Sequence, residues 1–157
     1  MAIYLIRHAH AGNRSSWRGH DLDRPLSDKG REQAAALMCQ LADEAIGQVH
    51  SSASRRCIET VEPLAEQLGL KVRRASELFE GAEPEPALAF LRATGAKNPA
   101  MCSHGDLIPK LIRRLIAAGM RTKDANIAQK GSVWVLETDG GQIVKGRYLP
   151  PAPRGSD

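Results

Sequence analysis

The 157 residues carry 22 Lys and Arg against 18 Asp and Glu, a formal charge of +4, with 42% hydrophobic and 25% charged residues. These proportions fit one globular domain that can bury a core without staples, and they exclude a disordered chain. Nothing approaches the roughly 20 apolar residues of a membrane span, no leader pattern opens the chain, and an odd set of cysteines at 39, 57 and 102 argues for a reducing cytoplasm over a disulfide framework. The positive balance favours anionic partners. Nucleic acid is not expected among them, because only 4% of residues are aromatic and no basic run is interleaved with stacking side chains.

The first element is Ile3-Tyr4-Leu5-Ile6, an apolar run of strand formers that stops at Arg7 and His8. It reads as a buried strand, and the residues after it stand at the C-terminal edge of a sheet, where open α/β folds place ligand sites. Ser27 is placed to cap a first helix in which Ala34, Leu37, Met38, Leu41 and Ala45 recur at helical spacing, with Gly47 ending it. A short strand over 48–51 comes next. Ser54 is placed to cap a second helix carrying Ile58, Val61, Ala65 and Leu68, closed by Gly69, and Pro63 inside it predicts a kink or a division into two shorter helices.

Residues 70–74 read as a weak strand, 77–86 as an acidic loop with prolines, and 87–93 as a third helix. Ala100-Met101-Cys102 is a further strand running into Ser103-His104-Gly105. Leu107, Ile108, Leu111, Ile112, Leu115 and Ile116 form the strongest amphipathic stripe, with Pro109 tolerated in its first turn. Two apolar stretches, 133–136 and 142–148, flank Asp139-Gly140-Gly141, a hairpin signal. The expected architecture is a three-layer α/β/α sandwich with a mostly parallel central sheet and a C-terminal hairpin, one domain over 1–149, with 150–157 as a disordered tail.

Two junctions look alike. Ile6-Arg7-His8-Ala9 and Cys102-Ser103-His104-Gly105 each place a histidine just past an apolar strand, and in a parallel sheet both ends fall on one side. Ser52-Ala53-Ser54-Arg55-Arg56 puts arginines at a helix start, where backbone N–H groups also favour anions. Arginine offers a planar fork of donors that suits phosphate, and neutral histidine is a competent nucleophile. Together they suit stabilising a phosphoryl group during in-line transfer. Asn13, Arg14 and Arg24 are candidates for the rim, Arg24 with the alternative of pairing with Asp21 or Asp23. His10, His20 and His50 have no partner spacing and read as surface residues, and the cysteines read as small core fillers. No cysteine phosphatase loop, Walker lysine loop or paired-cysteine metal motif is present, so no metal and no cofactor is implied.

Five segments in order, Leu5-Ile-Arg-His-Ala9, the stretch from Arg24 to Ala34, Ser52-Ala-Ser-Arg-Arg-Cys-Ile-Glu-Thr60, Leu78-Phe-Glu80 and Cys102-Ser-His-Gly-Asp106, resemble the histidine phosphatase (phosphoglycerate-mutase-like) superfamily. The short length and the Arg-Pro-Leu segment are most similar to small SixA-type phosphohistidine phosphatases, and also to phosphatase domains fused behind Nudix domains. The resemblance implies His8 as nucleophile forming a phosphohistidine intermediate, with Arg7, Arg56 and His104 as phosphoryl ligands and Glu80 as proton donor. Arg55 is the alternative to Arg56. The family usually has Gly where this chain has Ala9, which fits if φ there is negative. The implied activity is hydrolysis of protein phosphohistidine. Phosphatase action on a small phosphoester (nucleotide or sugar phosphate) and a non-catalytic phosphate-binding module are the alternatives.

Overall fold

The computed structural model describes residues 1–152. Its six strands are β1 (Ala2–Arg7), β2 (Val49–Ser51), β3 (Val72–Arg74), β4 (Ala100–Ser103), β5 (Val133–Asp139) and β6 (Gln142–Leu149), and its four helices are α1 (Asp28–Leu41), α2 (Arg55–Leu68), α3 (Pro84–Thr94) and α4 (Ile108–Ala117). The sheet order is β3-β2-β4-β1-β5-β6. The first four strands in that order run parallel, β5 pairs antiparallel with β1, and β6 closes the hairpin on β5.

The period of two along each central strand sorts its side chains between two cores. Ile3 and Leu5 of β1, Met101 of β4, and Trp134 and Leu136 of β5 pack with Leu88, Leu91, Leu111 and Ile112 of α3 and α4. Tyr4 and Ile6, Ala100 and Cys102, and Val133 and Val135 pack with Leu37, Leu41, Val61 and Leu64 of α1 and α2 on the other face. Helices therefore cover both sides of a mostly parallel sheet, as the pattern of elements implied. Among the described residues no helix is long and apolar enough to cross a membrane.

Neighbouring β1 and β4 are the strands that place the site. From β1 the chain crosses by α1 to β2, while from β4 it crosses by α4 on the opposite face to β5. Connections leaving in opposite directions open a crevice beyond the C-terminal ends of the two strands. The register puts Arg7 beside Ser103 and Ser51 beside Cys102, so three strand ends stop level there.

Several local expectations are corrected. The first helix ends at Leu41, not near Gly47, because Ala45 takes φ of 55° and the chain turns until Gly47 donates to the Lys97 carbonyl at 3.0 Å. Pro63 does not divide the second helix, which runs from Arg55 to Leu68. The third helix starts earlier than residue 87, at Pro84, since proline is well suited to a first turn. His50 is buried, packed edge-on to Phe90 at 5.2 Å, and Cys39 is exposed on α1, whereas Cys57 and Cys102 are core residues. The tail expected over 150–157 lies beyond the described residues from 153 onward.

Ser27 caps α1 as its sequence suggests, its hydroxyl accepting from Gly30 N at 3.1 Å. The same first turn sits directly on the His10 carbonyl, which accepts from Ser27 N at 3.0 Å. A Cβ built on Gly30 would stand 1.9 Å from that oxygen. Gly30→Ala should therefore lower stability by about 2 kcal/mol, the clash outweighing the gain of about 1 kcal/mol in helix propensity. Urea unfolding measures this, and a variant as stable as the parent would mean that α1 does not rest on His10.

Candidate active site

His8 comes directly after the last residue of β1. Its backbone N–H donates to the Ser103 carbonyl at 3.1 Å, which carries the β1–β4 pairing one residue further. The imidazole Nδ1 lies 2.8 Å from the Ala9 carbonyl oxygen. A carbonyl only accepts, so Nδ1 carries the proton and Nε2 keeps its lone pair. Burial pushes the His8 pKa down to about 3; the Ala9 carbonyl opposes this, and His104, Arg56 and Arg7 add to the lowering. Ala9 is buried and is not among the residues with positive φ, so alanine fits where the resembling family has glycine. Its N–H donates to Thr60 Oγ1 at 2.9 Å, and the Thr60 hydroxyl donates to the Arg56 carbonyl at 2.6 Å, tying α2 to the His8 turn.

His104 meets His8 edge-on, with ring centroids 5.4 Å apart and planes at 66°. Its Nε2 lies 2.8 Å from Ser52 Oγ and 3.5 Å from Cys57 Sγ. The other ring nitrogen, Nδ1, stands 3.8 Å from Glu80 Oε2. Arg7 donates from Nη1 to the Ala128 carbonyl at 2.7 Å, and its guanidinium covers Gly105 so closely that a Cβ there would lie 2.5 Å from Arg7 Cζ. Only glycine leaves Arg7 this position.

At the start of α2 the two arginines separate by one helical step. Arg55 is exposed and pairs with Glu59 at 2.9 Å along the helix, while Arg56 is 1% exposed and lies beneath the cleft, reaching residues of its wall. Arg56 reaches the Asp21 carboxylate at 3.4 Å, the Asp21 carbonyl at 3.0 Å and Glu80 Oε2 at 3.5 Å. Arg7 Nε, Arg56 Nε and His104 Nδ1 are buried nitrogens with no hydrogen-bond partner among the described residues. Buried donors are rarely left this way in a finished core, and clustered ones mark a place where an acceptor docks.

The rim residues gather on the same cleft, which has a volume of about 600 Å³ and is lined by Arg7, His8, Asn13, Arg14, Arg24, Glu80 and their neighbours. Arg14 grips Glu80 with Nη2 at 2.9 and 3.2 Å. Arg24 is buried, donates to the Ala11 carbonyl at 2.7 Å and pairs with Asp21 at 3.2 Å, while lining the same cleft. Asn13 spends its side-chain oxygen on Ser15 N at 3.0 Å, a local cap. Sequence reasoning missed Ser52 as the partner of His104, Asp21 as a hub for three arginines, and Lys130, His10 and Asp106 in the lining. Ser52 left a signal by standing beside the arginines of the helix start, Asp21 as a candidate partner of Arg24, and Asp106 at the end of the His104 segment.

Unfolding restores the ordinary pKa of His8, so between about pH 3 and 6.5 the unfolded chain binds the extra proton and this group's contribution to stability falls as pH falls. Nitrogen-15 NMR of the His8 ring should show a neutral, Nδ1-protonated imidazole at pH 5. An imidazolium signature at that pH would show that the ring is neither buried nor held as described.

The model of the histidine phosphatase superfamily (branch 1) matches residues 3–82. An 8-oxo-(d)GTP phosphatase of Mycolicibacterium smegmatis is 34% identical over 154 residues, 95% of this chain and 48% of that protein, so the chain spans about half the length of this curated relative. Among solved structures, a protein histidine phosphatase SixA complexed with tungstate superposes with a TM-score of 0.74 at 20% identity, over 95% of this chain and 94% of the other. A mycobacterial glucosyl-3-phosphoglycerate phosphatase gives 0.69 at 20% identity, over 97% and 99%. With a family model spanning half of its length and a fold shared with these phosphatases, this chain belongs to the histidine phosphatase superfamily.

Proposed function

We propose that the chain is a metal-independent phosphohydrolase in which His8 Nε2 attacks phosphorus and carries the phosphoryl group as a phosphohistidine. The observation that supports this best is the state of His8: uncharged, fixed through Nδ1 by the Ala9 carbonyl, and 5.4 Å from a second imidazole amid buried nitrogens without acceptors among the described residues. Arg7, Arg56 and His104 take the non-bridging oxygens as charge spreads over them. Glu80, at the cleft edge, protonates the leaving atom and then accepts a proton from the water that frees the phosphate.

Two classes of substrate compete. Protein phosphohistidine is the first, since its imidazole leaves readily once protonated and asks little of the proton donor. A phosphorylated small molecule is the second reading, favoured by the 34% identical relative named for 8-oxo-(d)GTP. A binding module that never turns over is separated from both by trapping.

Acid-labile, hydroxylamine-sensitive label should accumulate on His8 when the protein is quenched during turnover of radiolabelled substrate, and His8→Ala should lose both label and turnover. Tight phosphate binding without label would make the chain a binding module. Arg56→Ala should lower kcat/KM by about 10²–10³-fold, corresponding to about 2.7–4 kcal/mol for one lost charge-stabilising donor, whereas Arg55→Ala should stay within a few-fold because an exposed i,i+4 pair contributes about 0.3–0.5 kcal/mol. The reverse ranking in steady-state kinetics would remove Arg56 from the site.

A further inference from the structure

Beside the His8 cradle the cleft continues into a recess of about 390 Å³ that Arg7, His10, Lys29, Gln33 and Lys130 border. Lys130 faces both spaces. Its backbone is fixed to the end of β1: the next N–H, from Gly131, donates to the Arg7 and His8 carbonyls at 3.1 and 3.2 Å, and Gln33 Nε2 donates to the Lys130 carbonyl at 3.2 Å. The same Gln33 accepts from His10 N at 2.8 Å, so one side chain clamps both walls of the recess.

The surroundings of the Lys130 ammonium are of one sign. The charges that act on it are those of Arg7, Arg24 and Lys29, and with burial they lower its pKa. No ion pair or hydrogen bond of its amine is present among the described residues. Arg24 is 6% exposed, and its two engaged nitrogens leave Nη2 without a hydrogen-bond partner among them. The acids of the cleft are committed elsewhere, Glu80 to Arg14 and Asp106 to the Gly81 N–H at 2.8 Å. Grouping half-buried cations without a counterion is unfavourable unless a ligand brings the negative charge.

We propose that Lys130 and Arg24, with Lys29 at the outer edge, form a second anion subsite next to the His8 cradle, and that the substrate is a phosphoanhydride such as a nucleoside di- or triphosphate. This rests on the phosphohydrolase proposal for its chemistry but not for its geometry. His8 Nε2 forms a bond to the terminal phosphorus, and the bond from that phosphorus to the bridging oxygen breaks. The electron pair leaves on the bridging oxygen, which stays with the departing phosphate at Lys130. Water then attacks the phosphohistidine, the P–N bond breaks with its electrons returning to Nε2, and orthophosphate leaves while Glu80 takes the water's proton and passes it to solvent. A phosphohistidine substrate would place an uncharged imidazole in this position and draw nothing from the lysine.

Two measurements separate the subsite from the catalysis. Titration calorimetry should show that the unmodified protein binds methylenediphosphonate at least about tenfold more tightly than inorganic phosphate, a ratio in keeping with one added charged hydrogen bond. Lys130→Ala should erase that preference, and Lys130→Arg should restore most of it. In kinetics, the kcat/KM ratio of a nucleoside triphosphate to p-nitrophenyl phosphate should fall about tenfold or more in Lys130→Ala. Equal binding of the two anions by the unmodified protein, or a preference untouched by Lys130→Ala, would overturn the subsite. Diphosphonate preference in a protein that turns over neither substrate would keep the subsite and overturn the hydrolase.

Discussion

The site depends on carboxylates, Asp21 above all, that let like charges share a small space. Asp21, in the turn between β1 and α1, stands 3.3 Å from Arg14, 3.2 Å from Arg24 and 3.4 Å from Arg56. Burial raises its pKa, but the hydrogen bond from Arg24 and the charges of Arg56, Arg14 and Arg24 outweigh that and hold it below the usual carboxylate range. The three guanidiniums come from an exposed turn, a buried loop and a helix start, and alone they would repel one another. Asp21 in the middle, with Glu80 beside Arg14 and Arg56, sets their spacing. Arg56 Nε is left buried with no acceptor among the described residues.

The division of labour between the two histidines arises from the partners each strand end offers. Past β1 the chain turns back so that the Ala9 carbonyl meets the His8 ring, which fixes a tautomer and withholds charge. Past β4 the ring of His104 finds a hydroxyl and a thiol instead, and its other nitrogen is left facing Glu80. One imidazole thereby has its tautomer fixed by a carbonyl, while the other meets groups that can each donate or accept. Similar sequence at two junctions gives different surroundings because His8 is held by the next residue and His104 by residues about 50 positions away.

Much of this was legible in the sequence where it depends on period and order. The alternation through β1, the stripe on α4 and the Gly140-Gly141 turn define their elements locally, and the two histidines at strand ends pointed to the cleft. Burial then distinguishes Arg56 from Arg55, which spacing alone left open. The misreadings share a cause. Ala45 keeps helical spacing yet adopts a left-handed backbone, His50 is hidden by Phe90 from 40 residues away, and Lys130 gains its surroundings only when Gly131 hydrogen-bonds across to Arg7 and His8. Contacts far apart in sequence carry no periodic signature.

At one margin of the sheet, β3 is three residues long and, among the described residues, paired only with β2, and its Arg73 and Arg74 are exposed. A free strand edge invites another chain to extend it, and brevity combined with fixed positive charge discourages that. The cationic character that draws anions to one end of the molecule thus reappears at its flank as protection against aggregation through the sheet.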